Sequence, residues 1–518
     1  MQPSPAGASL FRNVLANMGG YFAAVLITFV ITPFLIRSLG PANYGAWSLV
    51  AELIGYYGLL DMGLRGAVTY YVARHRARHE TEALSHIISS AFWALAVMGL
   101  IVMCIGAAIA LTFPRWMNTA GLNVHDAQVA LFLMSVVIGL SLPLESYSSA
   151  LVGSMRLDLV NGIEVLNRLL MAAATYAVLT RGHGLIGLSL AYFACRALSW
   201  TLQMAAARRL LGGLFWTPAL FRRDSLAELA SYGIRNIVSA LAGLLLYRTG
   251  SLITSVFLGV QYVTFYSIGS IMVTYASTAC SSVTRSYTPK FTQLHAQGNI
   301  EELRRVFLSG SRISGLLAVF LFASLTGFCT PFLRLWVGPE FVTGPWTMRS
   351  DAVMIILFVA QLPRIMQSIS WQLLFATARV RFLMWINIAE AASSLAVSLA
   401  LVKPLGLAGV ALGVLAPLLV THLFLMPPYI LRQLAMPAAR YLREGIGAPL
   451  AIGASLLALN LALTAAAPPL TWTLFFSEAA LSALAGAILV LAFGFTADER
   501  AQLKGKLYQA GRLIGVAS

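Results

Sequence analysis

Apolar runs long enough to cross a lipid bilayer recur along the whole chain. One crossing takes about 20 apolar residues of helix. Of the 518 residues, 59% are hydrophobic and only 10% are charged, whereas an average soluble domain has about 25% charged residues. Fourteen runs are predicted to span a membrane: 15–36, 45–66, 87–113, 126–152, 159–180, 184–206, 230–257, 262–284, 308–333, 351–375, 381–402, 405–430, 446–467 and 471–495. The pattern predicts an all-α polytopic membrane protein and excludes a soluble enzyme, a disordered chain and a nucleic-acid binder with a globular core.

Basic residues concentrate in alternate connections between these runs. The chain has 35 Lys and Arg against 19 Asp and Glu, a formal charge of +16. With the N-terminus placed in the cytoplasm, 24 basic residues lie in cytoplasmic connections or the tail, six on the outer side and five inside spans. Cytoplasmic loops of membrane proteins carry such an excess. The charge therefore indicates topology, with both termini in the cytoplasm, and requires no nucleic-acid partner.

Short patterns repeat at an offset of about 222 residues. The pattern Gly184-Leu-Ile-Gly187 at the start of the sixth run recurs as Gly406-Leu-Ala-Gly409 at the start of the twelfth. Three further pairs of patterns follow the same order, although an apolar chain can also produce such echoes by chance. Parallel repeats are a transporter design in which the substrate site lies between the halves.

The repeat and the charges together predict the organisation of the chain. It comprises an N-terminal lobe of six helices at 1–209, a cytoplasmic linker at 210–229, a C-terminal lobe of six helices at 230–435, two further helices at 436–497 and a cytoplasmic tail at 498–518 lying on membrane lipids. The connections are too short for a nucleotide-binding domain, and neither a phosphate loop nor a Cys/His metal motif is present. We expect no cofactor, no metal and no catalytic residue.

The N-terminal stretch resembles a known family. Residues 31–47, Ile-Thr-Pro-Phe-Leu-Ile-Arg-Ser-Leu-Gly-Pro-Ala-Asn-Tyr-Gly-Ala-Trp, precede Asp61-Met-Gly-Leu64 and Tyr71-Val-Ala-Arg74. This pattern is similar to the opening of Wzx-type polysaccharide-transport flippases in the multidrug/oligosaccharidyl-lipid/polysaccharide (MOP) exporter superfamily. The resemblance implies that an undecaprenyl-diphosphate-linked oligosaccharide is moved from the cytoplasmic to the outer leaflet of a bacterial inner membrane by alternating access. Such transport serves O-antigen, capsule or exopolysaccharide synthesis, with a polysaccharide polymerase and glycosyltransferases as partners.

Arginines inside the predicted spans are candidates for binding the diphosphate. They are Arg168, Arg196, Arg235, Arg248 and Arg364. An arginine at a helix centre costs about 2.5–3.5 kcal/mol on insertion scales, so each needs water or a partner. Arg196, Arg248 and Arg364 either line a wet cavity or pair with acids on other helices. Arg168 can pair with Glu164 one turn earlier, and Arg235 can reach the headgroups. A guanidinium donates two parallel hydrogen bonds to phosphate oxygens, which favours a cationic cavity.

A second set of residues is predicted to couple or gate transport, with H⁺ or Na⁺ as counter-cation. It comprises Glu52, Asp61, Glu164, Glu390 and His422. Glu52 and Glu390 are central in their spans and are candidate cation sites. The alternatives are a local pair between Asp61 and Arg65, and a hydrogen-bonded core position for His422. The family often carries an acidic residue in the seventh span, where this chain has Arg248-Thr-Gly250. Any role of that acid in coupling transport to a cation therefore has no matching residue in this chain.

Three other functions are weighed against this one. A flippase for the peptidoglycan precursor lipid II is a close variant and predicts an essential gene. A drug/cation antiporter of the same superfamily is disfavoured, because cationic drugs favour acidic or aromatic cavities rather than arginines. A polysaccharide polymerase or ligase usually needs a long outer loop that bears catalytic residues, and no outer connection here is long enough.

Overall fold

The computed structural model describes residues 5–57, 64–115, 117–119, 121–211, 217–227, 229 and 249–495. All regular secondary structure in these ranges is helical. Nine helices within them are long and apolar enough to cross a membrane, or ten if one bent pair counts as a single span. The chain is therefore an all-α polytopic membrane protein, as predicted. The count of fourteen spans stays a prediction, because runs such as 45–66 and 230–257 fall partly outside the described residues. The predicted tail at 498–518 falls wholly outside them.

Contacts divide the chain into two compact units, Met1–Ser267 and Ile268–Ser518. The helices of the first unit are α1 (Pro5–Tyr57), α2 (Leu64–Ala77), α3 (Thr81–Thr112), α4 (Val124–Gly153), α5 (Leu157–Thr180), α6 (Gly184–Leu211) and the helical residues 249–257. Two helical segments meet within α1 at Gly40, whose φ of 76° is non-helical and is readily adopted by glycine. This break separates the first two predicted spans.

Helices α3 and α4 approach each other closely through small residues. A Cβ added at Gly99 would collide with the backbone carbonyl of Gly139, and one added at Gly106 would collide with the Ser135 side chain. Small residues let membrane helices bring their backbones together, which strengthens van der Waals packing where lipid offers no hydrophobic driving force. Helix α4 runs through Pro143 as a single helix, and its Glu145 side chain contacts residues of α2 and α6, as described below.

The second unit contains the rest of the helices. They are α7 (Val260–Thr284), in which the division between units falls, α8 (Tyr287–Ala296), α9 (Ile300–Gly327), α10 (Cys329–Trp336), α11 (Ser350–Met366), α12 (Ser368–Ala376), α13 (Val380–Leu419), α14 (Met426–Gln433), α15 (Ala438–Tyr441), α16 (Gly447–Ala466) and α17 (Trp472–Leu489). A π-helical segment, Val420–Leu425, joins α13 to α14, and two more, Leu442–Ile446 and Val490–Gly494, precede α16 and follow α17. A 41° bend separates α11 from α12, shortly after Pro363.

The internal repeat is visible in the backbone corners of each unit. Gly184 has φ 55° where α6 begins, and Gly406 has φ 54° within α13. Met155 has φ 60° just before α5, and Ala378 has φ 56° just before α13. Non-glycine residues rarely adopt positive φ, so the recurrence of the Met155 corner at Ala378, at the predicted offset, supports a common architecture. The glycine pair recurs at nearly the same offset.

The linker predicted at 210–229 is only partly described. Its residues 217–222 are held on α3 by three buried side chains. His86 Nδ1 lies 2.8 Å from the carbonyl oxygen of Leu220, and the Ser89 hydroxyl donates to the carbonyl of Thr217 over 3.0 Å. Ser90 Oγ accepts from the amide of Arg222 over 2.9 Å. The predicted domain boundaries stay predictions.

Candidate functional site

The structure describes seven of the ten predicted site residues. Asp61, Arg235 and Arg248 lie outside the described residues. Five of the others fall into two groups, one in each compact unit. Arg168 on α5 is exposed, and Glu52 on α1 is half-buried. Glu52 interacts electrostatically with Tyr266, a buried residue of the same unit.

An ionic network joins four helices of the first unit. Arg196 of α6 donates from Nη2 to Glu145 Oε1 of α4 over 2.7 Å, and from Nη1 to Glu164 Oε1 of α5 over 3.2 Å. Arg65 of α2 donates from Nη1 to the other carboxylate oxygen of Glu145, Oε2. Each oxygen of a single carboxylate is thus bound by an arginine from a different helix.

The side chains of the network are partly exposed. The side chains of Arg196 and Glu145 are 15% and 20% exposed, while Arg65 and Glu164 are 36% and 34% exposed. The guanidinium carbon of Arg196 lies 5.8 Å from the ring centroid of Trp200, and such a cation–π contact further orients the side chain. Two arginines and two glutamates balance in charge, so the network can exist within a membrane without a net penalty of isolated charge.

Arg196 is paired with acids on two other helices, and one of its partners is Glu164. Whether it also lines a cavity stays a prediction. Arg168 is exposed on α5. Its role, and that of Arg196, in binding a substrate remain predictions.

Two members of the network were not predicted to be site residues. Glu145 is an acid within an apolar run two residues after Pro143, and that position is a usable signal in the sequence. Arg65 is one of the 24 basic residues that the predicted topology places on the cytoplasmic side. Only the packing of α2 against α4 shows that its side chain reaches inward to Glu145.

A second polar cluster lies in the second unit, where α13 ends in a π-helical segment. Glu390 of α13 is 1% exposed and His422 of the segment is 2% exposed. The Thr421 hydroxyl donates to Glu390 Oε1, and His422 Nδ1 lies 3.3 Å from the same oxygen. Single π-helical turns are frequent at functional sites. Here the turn places two consecutive residues beside one carboxylate.

The remaining oxygen of this carboxylate and a nearby arginine complete the cluster. Glu390 Oε2 is buried and has no hydrogen-bond partner within the part of the chain that the structure describes. Arg364 of α11 is half-buried and interacts electrostatically with both Glu390 and His422. Three of the predicted residues, Arg364, Glu390 and His422, therefore form one cluster. Across the described ranges, no group of three or more His, Cys, Asp or Glu side chains could hold a metal ion.

Comparison with known proteins gives relatives in sequence and in fold. A family described as polysaccharide biosynthesis protein matches residues 10–295. "Uncharacterized membrane protein EpsK" of Bacillus subtilis is 24% identical over 350 residues, which are 64% of this chain and 66% of EpsK. "Putative O-antigen transporter" of Shigella flexneri is 29% identical over 157 residues, which are 30% of this chain and 36% of that protein. The matched parts span less than two thirds of either relative.

Solved structures share the fold at low sequence identity. The lipid II flippase MurJ in an inward closed conformation has a TM-score of 0.67 at 13% identity, covering 93% of this chain and 98% of MurJ. An inward-facing multidrug transporter of the MATE family has a TM-score of 0.64 at 15% identity, and the match covers 79% of this chain and 94% of that transporter. Since the family match covers more than half of the sequence, the chain belongs to the polysaccharide biosynthesis protein family, with the fold of a MOP-superfamily transporter.

Proposed function

We propose that this protein is a flippase that moves an isoprenoid-diphosphate-linked oligosaccharide from the cytoplasmic to the outer leaflet of a bacterial inner membrane. Membership of a polysaccharide biosynthesis family, the name of the Shigella relative and the fold shared with a lipid II flippase all support this substrate class. Both termini are proposed to be cytoplasmic, because basic residues then concentrate on the cytoplasmic side. Alternating access is the proposed mechanism.

The observation that carries the proposal is the sharing of Glu145 between Arg65 and Arg196. Two guanidinium groups that each bind one oxygen of a carboxylate are spaced to bind two oxygens of a phosphate as well. Arginine suits this exchange, because its fork matches phosphate geometry and it does not lose its proton. We infer that the diphosphate displaces Glu145 from one or both arginines. The carboxylate keeps them paired and oriented while no substrate is bound.

The test is export by cells that lack the chromosomal gene and carry plasmid copies. Without the gene, we expect a diphosphate-linked glycan to accumulate on the inner leaflet. Wild-type protein restores export, whereas Arg196→Ala does not, although the variant reaches the membrane in normal amount. The matched control is Arg181→Ala, an exposed arginine at the end of α5, which should restore export. Normal export with Arg196→Ala would contradict the binding role.

The same experiment separates the alternatives by the lipid that accumulates. Accumulation of the peptidoglycan precursor, with loss of viability, would indicate a lipid II flippase. Unchanged lipids together with increased sensitivity to cationic compounds would indicate a drug antiporter. The proposed function predicts a glycan precursor in viable cells.

We further propose that the Glu390 cluster binds the counter-cation, H⁺ or Na⁺. A buried carboxylate with one oxygen held by Thr421 and the other unpartnered is suited to gain and lose a small cation. His422 Nδ1 lies 3.3 Å from the oxygen that Thr421 binds. Glu390→Gln should retain the Thr421 contact and abolish the dependence of export on the cation gradient. Ser393→Ala, one turn along α13 on its exposed side, should preserve that dependence.

A further inference from the structure

Four polar side chains with unsatisfied buried atoms lie where the last two helices pack on α9. Glu478 of α17 is 7% exposed, and neither of its carboxylate oxygens has a hydrogen-bond partner among the residues described. Ser482, one turn along, and Ser324 of α9 each have a buried hydroxyl with no hydrogen-bond partner in the described part of the chain. Asn460 of α16 is fully buried, and its Oδ1 is unpartnered as well. Buried polar groups are normally paired, and exceptions often mark an unseen water or ion.

Contacts along α9 bring Asn460 to the level of Ser324. The Asn460 amide donates to the carbonyl of Ala323 over 3.4 Å, and a Cβ on Gly327 would touch the Asn460 side chain. Two turns before Asn460 in α16, a Cβ on Gly453 would touch Val319, which lies one turn before Ala323 in α9. Helices α9 and α16 therefore run side by side in the same direction, and Asn460 faces residues 323–327.

Contacts of α17 bring Glu478 and Ser482 to that level too. A Cβ on Gly486 would touch Phe320 of α9. At the other end, the ring of Phe475 lies 5.8 Å from the ring of Phe328, which follows α9. Residues 476–485 of α17 thus run antiparallel along residues 321–327. Glu478, Ser482 and Gly486 recur every four residues and share the face that packs on α9.

No basic side chain of these helices is available to neutralise Glu478. Residues 313–327 of α9, all of α16 and all of α17 contain no Lys, Arg or His. Helix α10 also packs on α17, and its ionisable residues are the buried Cys329 and the exposed Arg334. The three arginines of α9, Arg304, Arg305 and Arg312, lie three turns or more from Ser324 toward the other end of the helix. An unneutralised carboxylate buried in a membrane protein is strongly disfavoured.

We propose that Glu478, Asn460, Ser482 and Ser324 form a binding site for a small monovalent cation, Na⁺ or H⁺. All the unsatisfied atoms are oxygens, which are the ligands that hard cations take. A cation held there joins α17, which lies outside the internal repeat, to α9, which lies within it. Occupancy therefore stabilises the packing of the last helical hairpin on α9. The site is separate from the Glu390 cluster, which lies on α13 and its π-helical segment.

The test is thermal unfolding of the purified full-length protein at constant ionic strength, with Na⁺ exchanged for choline and pH varied independently. A ligand that binds only the folded state raises the midpoint as its concentration rises. If Na⁺ binds, the wild-type midpoint rises with Na⁺. Glu478→Gln, which keeps the shape of the side chain, reduces that rise, and Glu478→Gln combined with Glu390→Gln, which removes both proposed cation sites, abolishes it. If H⁺ binds, the midpoint responds to pH instead, and Glu478→Gln reduces that response.

Two control variants localise the effect. Ser477→Ala, an exposed neighbour on α17, should behave like wild type. Glu390→Gln should keep the response assigned to Glu478, because that response belongs to a separate site. Asn460→Ala, which leaves the carboxylate in place, should weaken the apparent cation affinity several-fold and so tests the site even if Glu478→Gln folds poorly. Equal responses of the wild type and both site variants to Na⁺ and to pH would overturn the proposal.

Discussion

At the scale of single residues, Glu145 determines how the first unit holds its charges. Its two oxygens bind Arg196 and Arg65, and Arg196 also reaches Glu164. The sequence predicts that an arginine in the sixth span needs water or a partner, because an isolated charge there is costly. It does not predict the partner, because that depends on how α4 and α6 are rotated about their axes and on their relative depth.

A double-mutant cycle should separate the structural and functional roles of this network. Arg196→Gln should destabilise the protein by about 1–3 kcal/mol, because Glu164 loses its arginine and Glu145 loses one of its two. The cost is below the roughly 3–5 kcal/mol of a fully buried pair, since these side chains are partly solvated. Glu145→Gln combined with Arg196→Gln should recover part of the stability and none of the export. The measurements are unfolding in detergent and glycan export in cells. Recovery of export by the double variant would assign Arg196 a structural role only.

At the scale of helices, the corner between α2 and α3 contains a pair that responds to pH. His75 Nδ1 lies 2.6 Å from Glu80 Oε2, and this hydrogen bond holds the pKa of Glu80 below its usual value of 4.5. A lowered pKa means that folding favours the ionised form, so the stabilising effect is present above pH 4.5 and is lost as the pH falls through the folded-state value. Glu80→Gln should therefore lower the unfolding midpoint slightly at pH 7, and this difference from wild type should shrink below pH 4.5. A difference that grows on acidification would contradict the assignment.

The packing of α3 on α4 gives a second prediction for helices. Gly99→Ala should destabilise the protein by about 1–3 kcal/mol, because its new methyl group meets the backbone carbonyl of Gly139, which cannot rotate away. Gly162→Ala on α5 is the matched control, since a Cβ there has no atom within 4 Å. That control should be neutral or more stable by up to about 1 kcal/mol, because alanine favours helix more than glycine does. Unfolding of both variants in the same detergent measures the difference, and equal stabilities would argue against close contact of the two backbones.

At the scale of the whole molecule, the membrane explains which features the sequence reveals. Each crossing needs an uninterrupted apolar run, so most described helices coincide with a predicted span, and the repeat appears as matched corners such as Met155 and Ala378. Side-chain contacts between helices have no comparable signal. The π-helical turn that brings Thr421 and His422 together at Glu390, and the buried position of Glu478 on α17, depend on tertiary packing. Apolar periodicity does not report that packing.

The last prediction concerns the energy source of transport by the whole protein. If the substrate is an anionic diphosphate that moves outward, a cytoplasm-negative potential favours the movement by about 2.3 kcal/mol per charge per 100 mV. Arginines that bind the substrate but stay in the protein do not change the net charge that crosses the membrane, although they lower the energy barrier to crossing. Vesicles containing the protein and a lipid-linked glycan should therefore flip the glycan faster when an imposed potential is negative on the side of departure. Glu390→Gln should keep this dependence on potential while losing the dependence on the cation gradient. A flipping rate that is unchanged when both the potential and the ion gradients are dissipated would contradict gradient-assisted transport and leave the substrate gradient as the only energy source.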